Sequence, residues 1–125
     1  MKQTCLLFRG GKMSKDDCIF CKIVAGEIPS TKIYEDEKCY AFEDLEPIAP
    51  VHILLIPKEH YDNIGDNVST ELLGHLLTKA HEIAEMKGIK DSGYRVITNT
   101  GNDGGQSVKH LHLHIIGGKQ LRWEA

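Results

Sequence analysis

Residues 110–114 read His110-Leu111-His112-Leu113-His114, and Ile115 and Ile116 follow. Imidazole and aliphatic side chains alternate strictly. That is the period of a β-strand, in which successive side chains point to opposite faces. The spacing predicts a strand over residues 107–116, with Leu111, Leu113 and Ile115 facing a core and the three histidines sharing the other face. Desolvated imidazoles stabilise nothing unless each has a partner. Near neutral pH each can serve as acid, base, nucleophile or metal ligand. A solvated face with incidental histidines is the plain alternative, and strict period two argues against it.

A single ion held by all three histidines fits poorly. Residues two apart on a strand are about 6.6 Å apart along its axis, which puts the outer pair about 13 Å apart. Two could share a metal, but no glutamate follows the His-x-His pair as a cupin-like site would need. The remaining arrangement gives the imidazoles separate jobs around a phosphate, one attacking while its neighbours fix its tautomer or bind the anion. The preceding loop, Asn99-Thr100-Gly101-Asn102-Asp103-Gly104-Gly105-Gln106-Ser107, favours this arrangement. Its glycines let backbone N–H groups approach an anion closely. It has no Gly-Lys-Ser/Thr and is not a Walker A loop.

The rest of the chain reads as alternating short elements. Asp16 and Asp17 precede a short amphipathic helix over residues 18–25 that Gly26 closes. Residues 32–35 and 39–42 read as strands about the turn Asp36-Glu37-Lys38. Residues 51–56 are an apolar run interrupted by His52 and ended by Pro57, as in a central strand. One long helix spans residues 70–87, with Ser69 as N-cap and Gly88 as stop. Its apolar stripe is Leu72, Leu73, Leu76, Leu77, Ala80, Ile83 and Ala84, and His75 and His81 are expected on its surface. Residues 94–99 form a further strand. The fold class expected is α+β, a mostly antiparallel five-stranded sheet with one long helix and a short N-terminal helix.

The chain has 125 residues, and one domain is expected over residues 14–125. Residues 1–13 are expected to be a poorly ordered extension, since Met13-Ser14-Lys15-Asp16 looks like a second start. A net charge of −3 gives no reason to expect nucleic-acid or membrane binding. Four cysteines in this pattern fit reduced thiols in an intracellular protein. The location expected is cytoplasmic, with the nucleus also open.

The segment Gly104-Gly105-Gln106-Ser107-Val108-x-His110-Leu111-His112-Leu113-His114-Ile115-Ile116-Gly117-Gly118 resembles the signature of the histidine triad (HIT) superfamily, and its nucleotide-binding (Hint) branch in particular. Ala41-Phe42-x-Asp44-Leu45, Ala49-Pro50-x-His52, Ile56-Pro57-Lys58-x-His60, Leu72-Leu73-Gly74-His75-Leu76 and Gly93-Tyr94-Arg95 match that branch in order. The resemblance implies a HIT-like fold and a purine nucleoside phosphoramidase that yields a nucleoside monophosphate such as AMP. His112 matches the nucleophile that attacks the α-phosphorus, and His52 matches a supporting histidine. Ser107 matches a hydroxyl near the leaving group. His114, Asn99 and the backbone of Gly105 and Gln106 match phosphate contacts. Asp44 matches the ribose acceptor. Ile19, Phe20, Ile23, Phe42, Leu45 and Leu54 match the surroundings of the purine and ribose, although taken singly Ile23 and Phe42 read as plain core. No catalytic cofactor is implied.

The resemblance also implies a homodimer whose C-terminal tail carries Trp123 toward the partner's site. Cys18 and Cys21 have three readings. They are a redox pair, two ordinary buried cysteines, or half of a structural zinc site completed by His60 and His110 as in some superfamily members. The redox pair fits least, since no strand leads into it and bulky Ile19 and Phe20 fill the middle, and spacing does not choose between the other two. The rival reading of the whole chain is a nucleotide-binding scaffold with vestigial hydrolysis. A third is a metal-binding module built on Cys18 and Cys21.

Overall fold

The computed structural model describes residues 17–123; the expected extension over residues 1–13 lies outside them. The elements run α1 (Ile19–Val24), β1 (Lys32–Glu35), β2 (Cys39–Glu43), β3 (Val51–Pro57), α2 (Thr70–Met86), β4 (Tyr94–Ile97) and β5 (Leu113–Gly117). The five strands form one sheet in the order β1-β2-β3-β5-β4. Every pairing is antiparallel. The expected α+β architecture is the one found.

Period-two alternation divides the two sides of the sheet. Cys39, Ala41, Ile53, Leu55, Leu113 and Ile115 share a core with Leu76, Ala80, Ile83 and Ala84 of α2. Tyr40, Phe42, Leu54 and Ile56 share a second core with Phe20, Cys21 and Ile23 of α1. β2 and β3 are therefore covered on both faces, which is why they read as continuous apolar runs. A helix of six residues has no stability of its own in water. Burial of Phe20 and Ile23, worth about 1.5–3 kcal/mol for each such side chain, is what seats α1.

Helix α2 begins as its sequence dictates, with the Leu72 N–H donating to Ser69 Oγ at 3.1 Å. It is tied to the β1–β2 turn through Asp36. One carboxylate oxygen of Asp36 accepts the N–H groups of Lys38 (2.7 Å) and Cys39 (2.9 Å). The other accepts Tyr34 Oη–H and His75 Nε2–H, both at 2.8 Å. Burial alone would raise the Asp36 pKa, but these four donors outweigh it and hold the carboxyl well below the usual range.

Four expectations need correction. β5 starts at Leu113 rather than Ser107, because the Leu111 N–H donates to Tyr61 O at 2.6 Å instead of joining the sheet ladder. β4 stops at Ile97, and beyond it the Thr98 hydroxyl donates to the His112 carbonyl at 2.8 Å. Leu77 is 58% exposed, since the stripe drawn on α2 is wider than the face the sheet covers. His75 is half-buried against Asp36, whereas His81 is exposed as expected, beside the Tyr94 hydroxyl.

Candidate active site

The histidine row does not lie on one exposed face. His110 and His112 precede β5 and are buried, and His114 within β5 is half-buried. His112 and His114 remain neighbours, with ring centroids 5.1 Å apart. His110 turns away from them toward α1, where its Nδ1 lies 3.2 Å from Cys18 Sγ. The row splits where the Leu111 N–H donates to the Tyr61 carbonyl rather than to a neighbouring strand.

The Nδ1–H of His112 donates to the His110 carbonyl at 2.7 Å. A carbonyl only accepts, so the His112 proton sits on Nδ1 and Nε2 keeps its lone pair. Burial pushes the His112 pKa below its ordinary value. The ring is thus neutral at neutral pH, the form a nucleophile needs.

A second chain of hydrogen bonds fixes His114. The Ile48 N–H donates to His52 Nδ1 at 3.1 Å, which leaves the His52 proton on Nε2. That Nε2–H faces His114 Nδ1 at 2.9 Å and Asp44 Oδ2 at 3.3 Å. With its Nδ1 accepting, His114 carries its proton on Nε2 and has a donor to offer an anion. Burial, aided by His112 and His52, lowers the His114 pKa to about 4. Sheet register makes this contact possible. Leu54 pairs with His114 and His52 with Ile116, so His52 and His114 are diagonal neighbours on one face of β3 and β5.

The glycine-rich loop is pinned from within. Asn99 Nδ2 donates to Gly104 O at 2.7 Å, and the Gly101 N–H donates to Gln106 Oε1 at 2.9 Å. Gly101 and Gly105 have φ of 75° and 79°, which other residues rarely adopt. The side chains of Asn99 and Gln106 thus shape the loop, while Ser107 is exposed beside it.

Phe20 stands edge-on to His112 at 5.3 Å and to Phe42 at 5.6 Å. Ile23 and Leu54 are buried in the same cluster, whereas Ile19 is 46% and Leu45 91% exposed. The apolar residues assigned to a purine slot therefore divide into a buried base and an open rim. Asp44 sits at the other end of the histidines, its Oδ1 accepting the Glu46 N–H at 2.8 Å. Trp123 is 91% exposed. A cavity of about 510 Å³ beside the tail is lined by Ile89, Tyr94, Arg95, Lys119 and Leu121, and by none of the histidines.

The structure brings Cys18, Cys21, His60 and His110 together, with one ligand atom from each, all within 4.8 Å of one another. Cys21 Sγ lies 3.5 Å from Nδ1 of both His60 and His110. Each imidazole has its other nitrogen tied down. His110 Nε2–H donates to Pro57 O at 2.9 Å, and His60 Nε2–H to Asp62 Oδ1 at 3.0 Å. Both Nδ1 lone pairs therefore point at the sulfurs. A carbonyl or carboxylate behind the ring is the usual support of a metal-ligating histidine. Cys18 and Cys39 are free thiols.

Residues 25–121 match the sequence profile of the HIT domain. The chain belongs to the HIT domain family. This HIT domain is 46% identical over 113 residues to the protein pkiA of Dictyostelium discoideum, covering 86% of this chain and 87% of pkiA. Its fold superposes on the crystal structure of a HIT family hydrolase from Legionella pneumophila Philadelphia 1 with a TM-score of 0.82 at 45% identity, covering 85% of this chain and 96% of that one. It also matches a histidine triad nucleotide-binding protein from Candida albicans, with a TM-score of 0.76 at 34% identity over 86% of this chain and 83% of that one.

Sequence reasoning missed three residues of this HIT domain's site. Thr98 holds the His112 carbonyl, Ile48 orients His52 through its N–H, and Asp62 backs His60. Only Asp62 had a signal, an acid two residues after a histidine, and that pattern is too common to single out.

Proposed function

We propose that this HIT domain is a purine nucleoside phosphoramidase of the Hint type. His112 Nε2 attacks the α-phosphorus of a nucleoside 5′-phosphoramidate. The P–N bond breaks, and the nitrogen takes a proton and leaves as the amine on the Ser107 side. Water then attacks the nucleotidyl-His112 phosphorus, releasing the nucleoside monophosphate and restoring the imidazole. The observation that carries this reading is the Nδ1–H of His112 held by the His110 carbonyl, which leaves Nε2 unprotonated in a ring whose centroid lies 5.1 Å from that of His114. His114 would meet the phosphoryl charge, with Ser107 beside it, while the N–H groups of Gly101, Gly105 and Gln106 donate within the loop and shape it. Phe20, Ile23, Phe42 and Leu54 would receive the flat apolar purine, with Ile19 and Leu45 at the rim and Asp44 accepting from the ribose hydroxyls. Relatives described as a hydrolase and as a nucleotide-binding protein support the same reading. Steady-state assays on a panel of nucleoside 5′-phosphoramidates test it. An adenosine substrate should turn over, and His112→Ala should lose many orders of magnitude in rate while still binding AMP. Substantial hydrolysis by that variant would refute the assignment.

The donor set Cys18, Cys21, His60 and His110 fits a structural zinc ion, two thiolates and two imidazoles being a complete tetrahedral shell. The metal would supply a closed structural centre and no open coordination position. Its thiolate ligands require Cys21 in reduced form. Reduced protein purified without chelator should carry about one zinc per chain, and Cys18→Ser should lower both metal content and melting temperature.

A homodimer completes the proposal. Strand β4 is an outer strand of the sheet, and the Arg95 guanidinium donates to Arg122 O at 2.7 Å, which lays the tail beside that edge. An exposed tryptophan at such an edge is a typical interface anchor. Mixed dimers test a tail acting in trans: one chain carries His112→Ala with an intact tail, the other His112 without residues 120–125. Native leaving-group selectivity at the working site supports the exchange. Selectivity like that of the tail-deleted homodimer contradicts it.

A further inference from the structure

Three connections join the cysteine–histidine cluster to the nucleotide site. His110 presents its Nδ1 to the sulfurs while its carbonyl holds His112. Cys18 Sγ caps α1 by accepting the Cys21 N–H at 3.3 Å, and Phe20 between them stands edge-on to both His110 and His112. The third connection runs through Asp62. Its carboxylate accepts His60 Nε2–H at 3.0 Å, and its carbonyl accepts Gln106 Nε2–H at 2.5 Å. The same amide of Gln106 then accepts the Gly101 N–H at 2.9 Å. His60, Asp62, Gln106 and Gly101 thus form one continuous line from cluster to glycine-rich loop.

We propose that Asp62 is a positioning residue through which a metal ion on Cys18, Cys21, His60 and His110 pre-orders the glycine-rich loop, so that metal and nucleotide each tighten the binding of the other. The inference rests on the zinc and nucleotide readings above. Residues 100–105 are exposed, and their internal bonds span only five residues at most. The bond from Gln106 to Asp62 ties this loop to a distant part of the chain, 44 residues away in sequence. Ligation at His60 Nδ1 would fix the ring and strengthen its Nε2–H as a donor. Asp62 would then be held on both sides, and its carbonyl would keep Gln106 in place. A loop already ordered loses less freedom when it closes on a phosphate.

Linkage supplies the test, because the coupling factor must be the same in both directions. AMP affinity is measured by calorimetry on reduced full-length protein, zinc-loaded and stripped of metal. Zinc affinity is measured with and without AMP, by competition with a chromophoric chelator. Zinc should tighten AMP by about five- to 150-fold, the usual range of coupling between sites, and AMP should tighten zinc by the same factor. In Asp62→Ala the factor should fall toward one while zinc-loaded protein stays folded. Asp62→Asn, which keeps an acceptor for His60, should restore much of it. Equal AMP affinity in loaded and stripped protein, or undiminished coupling in Asp62→Ala, overturns the proposal. Should stripped protein unfold, cadmium-113 NMR of cadmium-loaded protein gives the same answer. AMP should move the resonance in the native chain and much less in Asp62→Ala, and a resonance that AMP leaves unmoved overturns the coupling. Loaded protein that binds no AMP, or reduced protein that takes up no zinc, also overturns it and identifies which underlying reading failed.

Discussion

His112 donates its Nδ1–H to the carbonyl of His110, two residues back, at 2.7 Å. That one contact gives a buried imidazole a fixed tautomer and leaves the lone pair on Nε2. It also explains why the first and second histidines of the row belong together though their rings face different neighbours. The His110 ring faces the cysteine cluster, and its backbone carbonyl holds His112.

Asp44 faces His52 through Oδ2 and keeps Oδ1 on the Glu46 N–H. Asp44→Ala should therefore weaken ribonucleotide substrates far more than their 2′,3′-dideoxy analogues. Loss of a hydrogen bond to a charged group is worth about 1.5–3 kcal/mol, or about ten- to hundredfold in kcat/KM. Comparing kcat/KM for the two substrates in both proteins checks this. Equal losses would remove Asp44 from the ribose site.

Asp36 is a second hub with no part in the chemistry. Its four hydrogen bonds join the β1–β2 turn to His75 of α2. Asp36→Ala should lower unfolding free energy by about 2–4 kcal/mol, since the bonds are charge-assisted but not additive. Urea titration measures the loss. AMP affinity of the folded variant should be unchanged, and a large drop in that affinity would place Asp36 in the nucleotide site.

The three histidines of the row make stability depend on pH. Burial lowers all of their pKa values, that of His110 to about 3 and that of His114 to about 4. An unfolded histidine titrates near 6.5, so below that pH the unfolded chain binds protons that the folded chain refuses. The stabilisation is fully present above about pH 6.5 and is lost as pH falls toward the folded values. Each histidine contributes a slope of up to about 1.4 kcal/mol per pH unit. Urea midpoints of chelator-treated protein should be level between pH 7 and 8 and fall steeply between pH 6 and 5. A level profile down to pH 5 would show that these rings protonate freely in the folded state.

What could be read from the sequence was local. Ser69, Pro57 and Gly88 mark element ends by effects confined to one turn, and those ends lie where they were expected, within a residue or so. The alternation in residues 39–42 and 51–56 assigns faces directly. Non-local bonds account for the differences. The Leu111 N–H leaves the ladder for Tyr61, 50 residues earlier, which shortens β5 and parts His110 from His114. His110 meets Cys18 across 92 positions, and no spacing rule reaches that far. The resemblance named His60 and His110 as partners of the cysteines. It did not name Asp62 or Thr98, whose roles depend on where two loops come together.

The central claim is that His112 becomes covalently nucleotidylated during turnover. The most direct measurement is the stereochemical course at phosphorus, which does not require the intermediate to accumulate. A P-chiral adenosine 5′-phosphorothioamidate is hydrolysed in oxygen-18 water, and the configuration of the product thiophosphate is assigned. Two successive in-line displacements, first by His112 and then by water, predict net retention. Net inversion would mean that water attacks the substrate directly, and would contradict nucleophilic catalysis by His112.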